Sequence, residues 1–171
     1  MIYVDNLNKI LHDICEEIIL DEKVGKLLYY NKVKDKDIYS LDKVKNPMKI
    51  LFNNKVFKGR RINKIQTESD VGLCVSMSLY EPYTSYYKES ETVKTIQYDV
   101  IILCHEDCLT ILNGVRTVAL VDALSNCIHN SKYIKSIGKV KMCQAFPIYD
   151  VPDGYEGWDV RFQVNIVNGY K

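Results

Sequence analysis

The residues best equipped to hold a metal or attack a substrate fall in one short run, Cys104-His105-Glu106-Asp107-Cys108, with Cys127, His129 and Cys143 further on. Zinc takes thiolate and imidazole ligands, and structural sites present them as closely spaced pairs. Cys104 or His105 with Cys108 would form one pair, and Cys127 with His129 the other. The second spacing is poor, because residues two apart on a helix point in different directions. A thiol activated by His105 or His129 is the other chemistry these types could supply. No strained nucleophile turn or oxyanion signature accompanies it. Buried thiols and a polar histidine at a strand-to-helix junction account for the run without any reaction.

The remaining candidates are weaker. Glu68, Asp70, Glu81, Glu89, Glu91, Glu106 and Asp107 lie mostly in segments read as loops, where solvated acids are ordinary. Gly59, Gly72 and Gly114 stand alone, and Gly154 and Gly157 sit in a turn, so no glycine-rich phosphate loop is formed. No catalytic, cofactor-binding or metal-ligating residue is assigned, and the expectation is a chain that is not an enzyme.

The elements that carry these residues follow from hydrophobic period. Leu7, Ile10, Leu11, Ile14 and Ile18 recur at helical spacing and predict an amphipathic helix whose stripe meets either the core or a neighbouring subunit. A second short helix is predicted from Glu22 to Tyr30. A Lys- and Asp-rich stretch up to Asn46, closed by Pro47, divides an N-terminal helical arm (1–46) from an α+β domain (47–171). Met48 to Phe57 reads as a short strand or extended piece. Val71 to Tyr80 alternates apolar and small residues, as a strand does. A tyrosine-rich segment to Glu91 then reads as a protruding loop. The strand from Val93 to Cys104 is apolar on both faces, which places it near a sheet centre. A helix is predicted over Leu112 to Ile128, with Arg116 and Asp122 on its outer side, followed by a strand from Lys139 to Tyr149. Pro152 to Gly157 reads as a turn. Trp158, Val160, Phe162, Val164 and Ile166 then alternate with Asp159, Arg161, Gln163 and Asn165 in a half-buried last strand. The expected fold is α+β: a small mixed or antiparallel sheet with a β-β-α-β-β core, one main helix on one face and the N-terminal amphipathic helix in addition.

Composition narrows the classes further. In 171 residues the formal net charge is +1, which removes the basic excess that phosphate neutralisation requires. The basic clusters around Lys43 to Lys49 and Lys55 to Arg61 have acids nearby and read as solvated loop faces. Sequence-specific nucleic-acid binding is therefore not expected. No apolar stretch approaches the roughly 20 residues that span a bilayer, and no secretory leader is recognisable. Six cysteines without an export signal read as reduced, buried thiols in an intracellular product. Thirteen tyrosines against one tryptophan supply residues suited to interfaces.

One resemblance adds to this reading. Tyr98-Asp99-Val100-Ile101-Ile102 leading into a helix with Arg116 and Asp122, then Ile137-Gly138-Lys139-Val140, Pro147, Tyr155-Glu156-Gly157-Trp158 and the alternating last strand carry it. Over about Tyr98 to Gly169 the chain resembles the tail terminator and neck (head–tail joining) proteins of long-tailed bacteriophages. Asp21 to Tyr30, with Lys26-Leu27-Leu28-Tyr29-Tyr30, is similar to neck proteins from phages of low-GC Gram-positive bacteria. The resemblance implies a virion protein, made in the host cytoplasm, that closes into a homohexameric ring. Such a ring caps the tail tube, stops its growth and faces the head connector, with no cofactor and no membrane. Tyr83, Tyr86, Tyr87, Tyr155 and Trp158 are its expected contact residues. A head-closure or head–tail adaptor protein, and a zinc or thiol hydrolase, are the alternatives.

Overall fold

The computed structural model describes residues 4–59, 65, 70–80 and 94–166. Two helices open the chain, α1 (Val4–Leu20) and α2 (Glu22–Tyr29). The Asp21 carboxylate between them accepts from the backbone N–H groups of Lys23 and Val24, both at 3.0 Å. Those donors have no partner inside the helix, so the cap fixes where α2 begins. Inside α2, Lys26 is buried yet satisfied: its ammonium donates to the Tyr39 carbonyl at 2.9 Å and pairs with Glu22 one turn back at 2.7 Å.

Pro47 starts a helix where the sequence reading placed an extended piece. α3 (Pro47–Leu51) carries proline in its first turn, where the missing N–H costs nothing. β1 (Val56–Lys58) follows. β2 (Val71–Tyr80) and β3 (Lys94–His105) pair antiparallel, with Leu73 opposite Ile102 and Val75 opposite Val100. After β3 come the one-turn helix α4 (Glu106–Leu109), strands β4 (Thr110–Ile111) and β5 (Gly114–Val115), α5 (Arg116–Asn130), α6 (Lys132–Ile137), β6 (Lys139–Ile148) and β7 (Tyr155–Ile166).

The main sheet runs β1-β2-β3-β7-β6, with β1 parallel to β2 and every other pair antiparallel. The fold is thus α+β with a mixed sheet, and β3 lies at its centre as its two apolar faces required. On one face Val100, Ile102, Val160 and Phe162 form a single core with Ile14 and Ile18 of α1, Leu27 and Leu28 of α2, and Leu120 and Leu124 of α5. The stripe of α1 therefore packs on its own chain. Polar ties reinforce it: Ser131 Oγ donates to Glu17 at 2.6 Å and the Tyr133 hydroxyl to Asp13 at 2.7 Å. The opposite face holds a smaller cluster of Phe57, Ile65, Cys74, Ile101 and Leu103.

Two readings of the central helix need correction. It starts at Arg116, because Leu112-Asn113 turns the chain between β4 and β5, where Ile111 pairs with Gly114 and Gly114 takes φ 149°. Leu112 and Val115 consequently stand exposed in that hairpin instead of lining the helix stripe. Arg116, expected outside, is fully buried. Its Nε donates to the Cys108 carbonyl at 2.6 Å, Nη1 to that of Leu27 at 2.7 Å and Nη2 to that of Val33 at 3.1 Å. A planar guanidinium with several fixed donors can tie three backbone segments at once, which no other side chain does as well.

Candidate functional site

The cysteine–histidine run is a structural junction. Cys104 is the next-to-last residue of β3 with its thiol buried in the core, and burial pushes that thiol up to about 12, with Cys108 adding to the rise. Burial also raises Cys108, and it lifts Cys15 and Cys127 to about 12. Thiols in this state hold their protons at neutral pH, and the thiolate is what attacks or ligates. Cys127 donates weakly to the Glu17 carbonyl at 3.7 Å and Cys143 to Ser125 Oγ at 3.8 Å, so these two serve other neighbours. His105 caps α4, its Nδ1 accepting from the Asp107 N–H at 3.2 Å, and its ring meets Tyr155 edge-on at 5.0 Å. Among the described residues no three of His, Cys, Asp and Glu gather as a metal cage. Iodoacetamide at pH 8 is expected to modify Cys143, the half-buried thiol, well before the five buried ones. Rapid native labelling of Cys104 or Cys108, read by peptide mass mapping, would contradict this account of the junction.

The structure separates the residues expected to make contacts. Tyr83, Tyr86 and Tyr87 lie outside the described residues. Tyr155 and Trp158 stand on opposite faces of β7, since three positions separate them on a strand. Tyr155 is half-buried and its hydroxyl donates to the Ile65 carbonyl at 3.0 Å. Trp158 packs on the helix-side core, and its indole N–H donates to Glu156 at 3.1 Å; Thr117 binds the same carboxylate oxygen. The turn ahead of them is built as its residues dictate. Gly154 takes φ 78° and the Tyr155 N–H closes on the Pro152 carbonyl at 3.0 Å.

The surface that stands out lies on the sheet face away from the helices. A polar ladder crosses β3 and β7 there: Gln163 donates to Gln97 at 3.1 Å, Gln97 to Asp99 at 3.1 Å, and Arg161 sits 3.3 Å from Asp99. Arg161 also grips Asp159 through Nε at 2.7 Å and Nη2 at 2.6 Å, and its guanidinium lies over the Phe146 ring, 5.5 Å from the centroid. Hydrogen bonding to Asp159 holds the Arg161 pKa above its ordinary value. Beside this ladder a groove of about 850 Å³ opens, floored by Ile101 and Leu103 and walled by Phe146, Tyr149 and Val151. Tyr149 is 89% exposed. Asp159 is only 7% exposed, and its Oδ1 has no hydrogen-bond partner. A buried carboxylate oxygen is costly to leave unpaired, and this one is sealed beneath the groove and not open to it.

Sequence reasoning saw Asp159 and Arg161 only as the polar side of the last strand. It passed over Phe146 and Tyr149, because alternation gives the face of a residue and not what covers that face. The available signal was Tyr149-Asp150-Val151-Pro152, two apolar side chains in a turn that needs none.

A mixed α+β chain with an apolar groove beside a charged ladder has the means of a binding or assembly protein. Its lineage is set by a family model: residues 21–164 match YomW, so the chain belongs to the YomW family, a phage-derived, Bacillus prophage-like family. No curated protein matches the chain. Among the described residues no helix is long and apolar enough to cross a membrane.

Proposed function

We propose that this phage protein is a ring-forming tail terminator of the neck, which caps the tail tube and joins it to the head connector. It works by shape, without covalent chemistry, as a closed ring of six copies in the virion. The observation that carries this reading is a pair of unlike apolar patches on one small chain. Leu112, Val115 and Val118 are exposed where the β4–β5 hairpin meets α5, on the helical layer. Phe146 and Tyr149 are exposed on the other side of the sheet. A two-fold dimer needs one self-complementary patch, whereas a subunit in a stacked ring needs different surfaces for its neighbour and for the next layer. Family membership supplies the phage context.

In this reading the Leu112–Val118 patch faces the tail tube and the sheet side faces the adjacent subunit. Adding the protein to polymerising tail tube protein is expected to arrest growth and leave a ring at one tube end in negative-stain images. Leu112→Glu with Val118→Glu should abolish capping while the fold, read by circular dichroism, stays intact. Tubes that grow unchanged in the presence of the wild-type chain would overturn the reading.

A further inference from the structure

Three side chains from three parts of the fold meet on one carboxylate. Asn31 lies just past α2, Lys55 just ahead of β1 and Asp70 just ahead of β2. The Asn31 amide nitrogen donates to Asp70 Oδ1, and the Lys55 ammonium pairs with Oδ2 of the same group. Asp70 reads from sequence as a loop acid, yet it is buried. We propose that Lys55 and Asn31 become joined by an isopeptide bond that the chain makes itself, with Asp70 as the acid–base group. The bond lies within one chain, so it is independent of the ring reading and takes no part in capping.

The backbone fixes all three residues. The Lys55 N–H donates to the Leu51 carbonyl at 2.8 Å, and its own carbonyl accepts from the Leu73 N–H at 2.7 Å. The Asp70 carbonyl accepts from the His105 N–H at 3.0 Å, and Oδ1 accepts from the Val71 N–H at 2.7 Å. Asn31 follows Tyr30, whose N–H closes on the Lys26 carbonyl at 3.0 Å, and precedes Val33, whose carbonyl Arg116 holds at 3.1 Å. A nucleophile, an electrophile and a base are thus gathered by rigid elements. Such gathering replaces a bimolecular encounter with an intramolecular one.

The step needs no cofactor or oxidant. Asp70 takes a proton from the Lys55 ammonium, which frees the amine to attack Asn31 Cγ. As the Nζ–Cγ bond forms, the proton on the attacking nitrogen passes through Asp70 to Nδ2. The Cγ–Nδ2 bond then breaks and ammonia leaves. The ammonium, carboxylate and primary amide become a secondary amide, a carboxylic acid and ammonia, so atoms and charge balance. A buried ion pair carries a desolvation cost, and the product holds no ion. Burial of Asp70 also keeps out the water that would reverse the step.

Intact mass spectrometry of the denatured full chain, followed by a peptide map, tests this. The expected mass is one ammonia below that of the sequence, with a branched peptide joining residues 31 and 55. Lys55→Arg keeps a cation beside Asp70 but supplies no attacking amine, and should restore the full mass. Asn31→Asp should still form the link, now with loss of one water, which a merely structural ion pair would not do. Asp70→Asn should lose the link; should that chain fail to fold, the other two variants still decide the matter. A wild-type chain at full mass would reduce the cluster to an ion pair and overturn the inference. A link from Lys55 to Asp70, or one that persists in Asp70→Asn, would overturn it as well.

Discussion

Arg116→Met is expected to leave the chain unable to fold at 37 °C. The substitution keeps the volume near that of the arginine stem but removes every donor. The carbonyls of Leu27, Val33 and Cys108 then lose their partners together, two of the three bonds lying in fully buried surroundings. An unsatisfied buried polar group costs about 1–3 kcal/mol, so three approach the whole stability of a domain, about 5–15 kcal/mol. Replacing buried ions by apolar groups can be neutral where both partners go, but backbone carbonyls cannot be removed. Arg116→Lys should fall between, since one ammonium cannot span three segments in a fixed plane. Urea unfolding of the three proteins checks this. A methionine variant within about 1 kcal/mol of wild type would contradict the role given to Arg116, because ordinary surface substitutions stay within that range.

Alkaline pH should unfold the protein steeply. Cys15, Cys104 and Cys127 ionise at 9.0 when unfolded, whereas burial raises each to about 12 in the native state. Below pH 9 both states keep these protons and no stability depends on them. Between 9 and 12 the unfolded chain sheds protons that the native one retains, so stability falls as pH rises. Each thiol contributes up to about 1.4 kcal/mol per pH unit, and three together about 4. Burial raises the Tyr98 and Tyr133 hydroxyls as well, which extends the loss to still higher pH. Urea midpoints measured from pH 7 to 11 should stay level and then drop beyond 9. Cys104→Ala with Cys127→Ala should flatten the drop, whatever it does to stability at pH 7. An unchanged slope in that double variant would show that these thiols are not the groups responsible.

Much of the fold is legible in period alone. β2 occupies the residues its alternation marks, and the two apolar faces of β3 place it at the sheet centre. Where local chemistry competes with period, the reading slips. Leu112 and Val115 fit a helical stripe, but a turn at Leu112-Asn113 followed by Gly114 draws them into a hairpin and shifts the helix start to Arg116. α6 depends on a Ser131 cap, its Oγ accepting from the Ile134 N–H at 3.0 Å, too short a signal for periodicity to detect. Arg116 reads as solvent-facing because charge usually is; only the fold shows three carbonyls converging on it. The groove is less legible still. Its parts come from β3, β6, β7 and the turn between the last two strands, and the pairing of β7 between β3 and β6 brings them together. Nothing local in a sequence encodes that juxtaposition. The aromatic residues that stand out by type, Tyr155 and Trp158, are drawn into hydrogen bonds within the fold, while the less conspicuous Phe146 and Tyr149 face outward.

The central claim is that identical copies close into a ring, and native mass spectrometry of the purified chain, alone and with tail tube protein, tests it most directly. The account predicts a discrete species of six chain masses, alone or on the tube, without intermediate open oligomers accumulating. A chain that stays monomeric at high concentration and also in the presence of tail tube would contradict it.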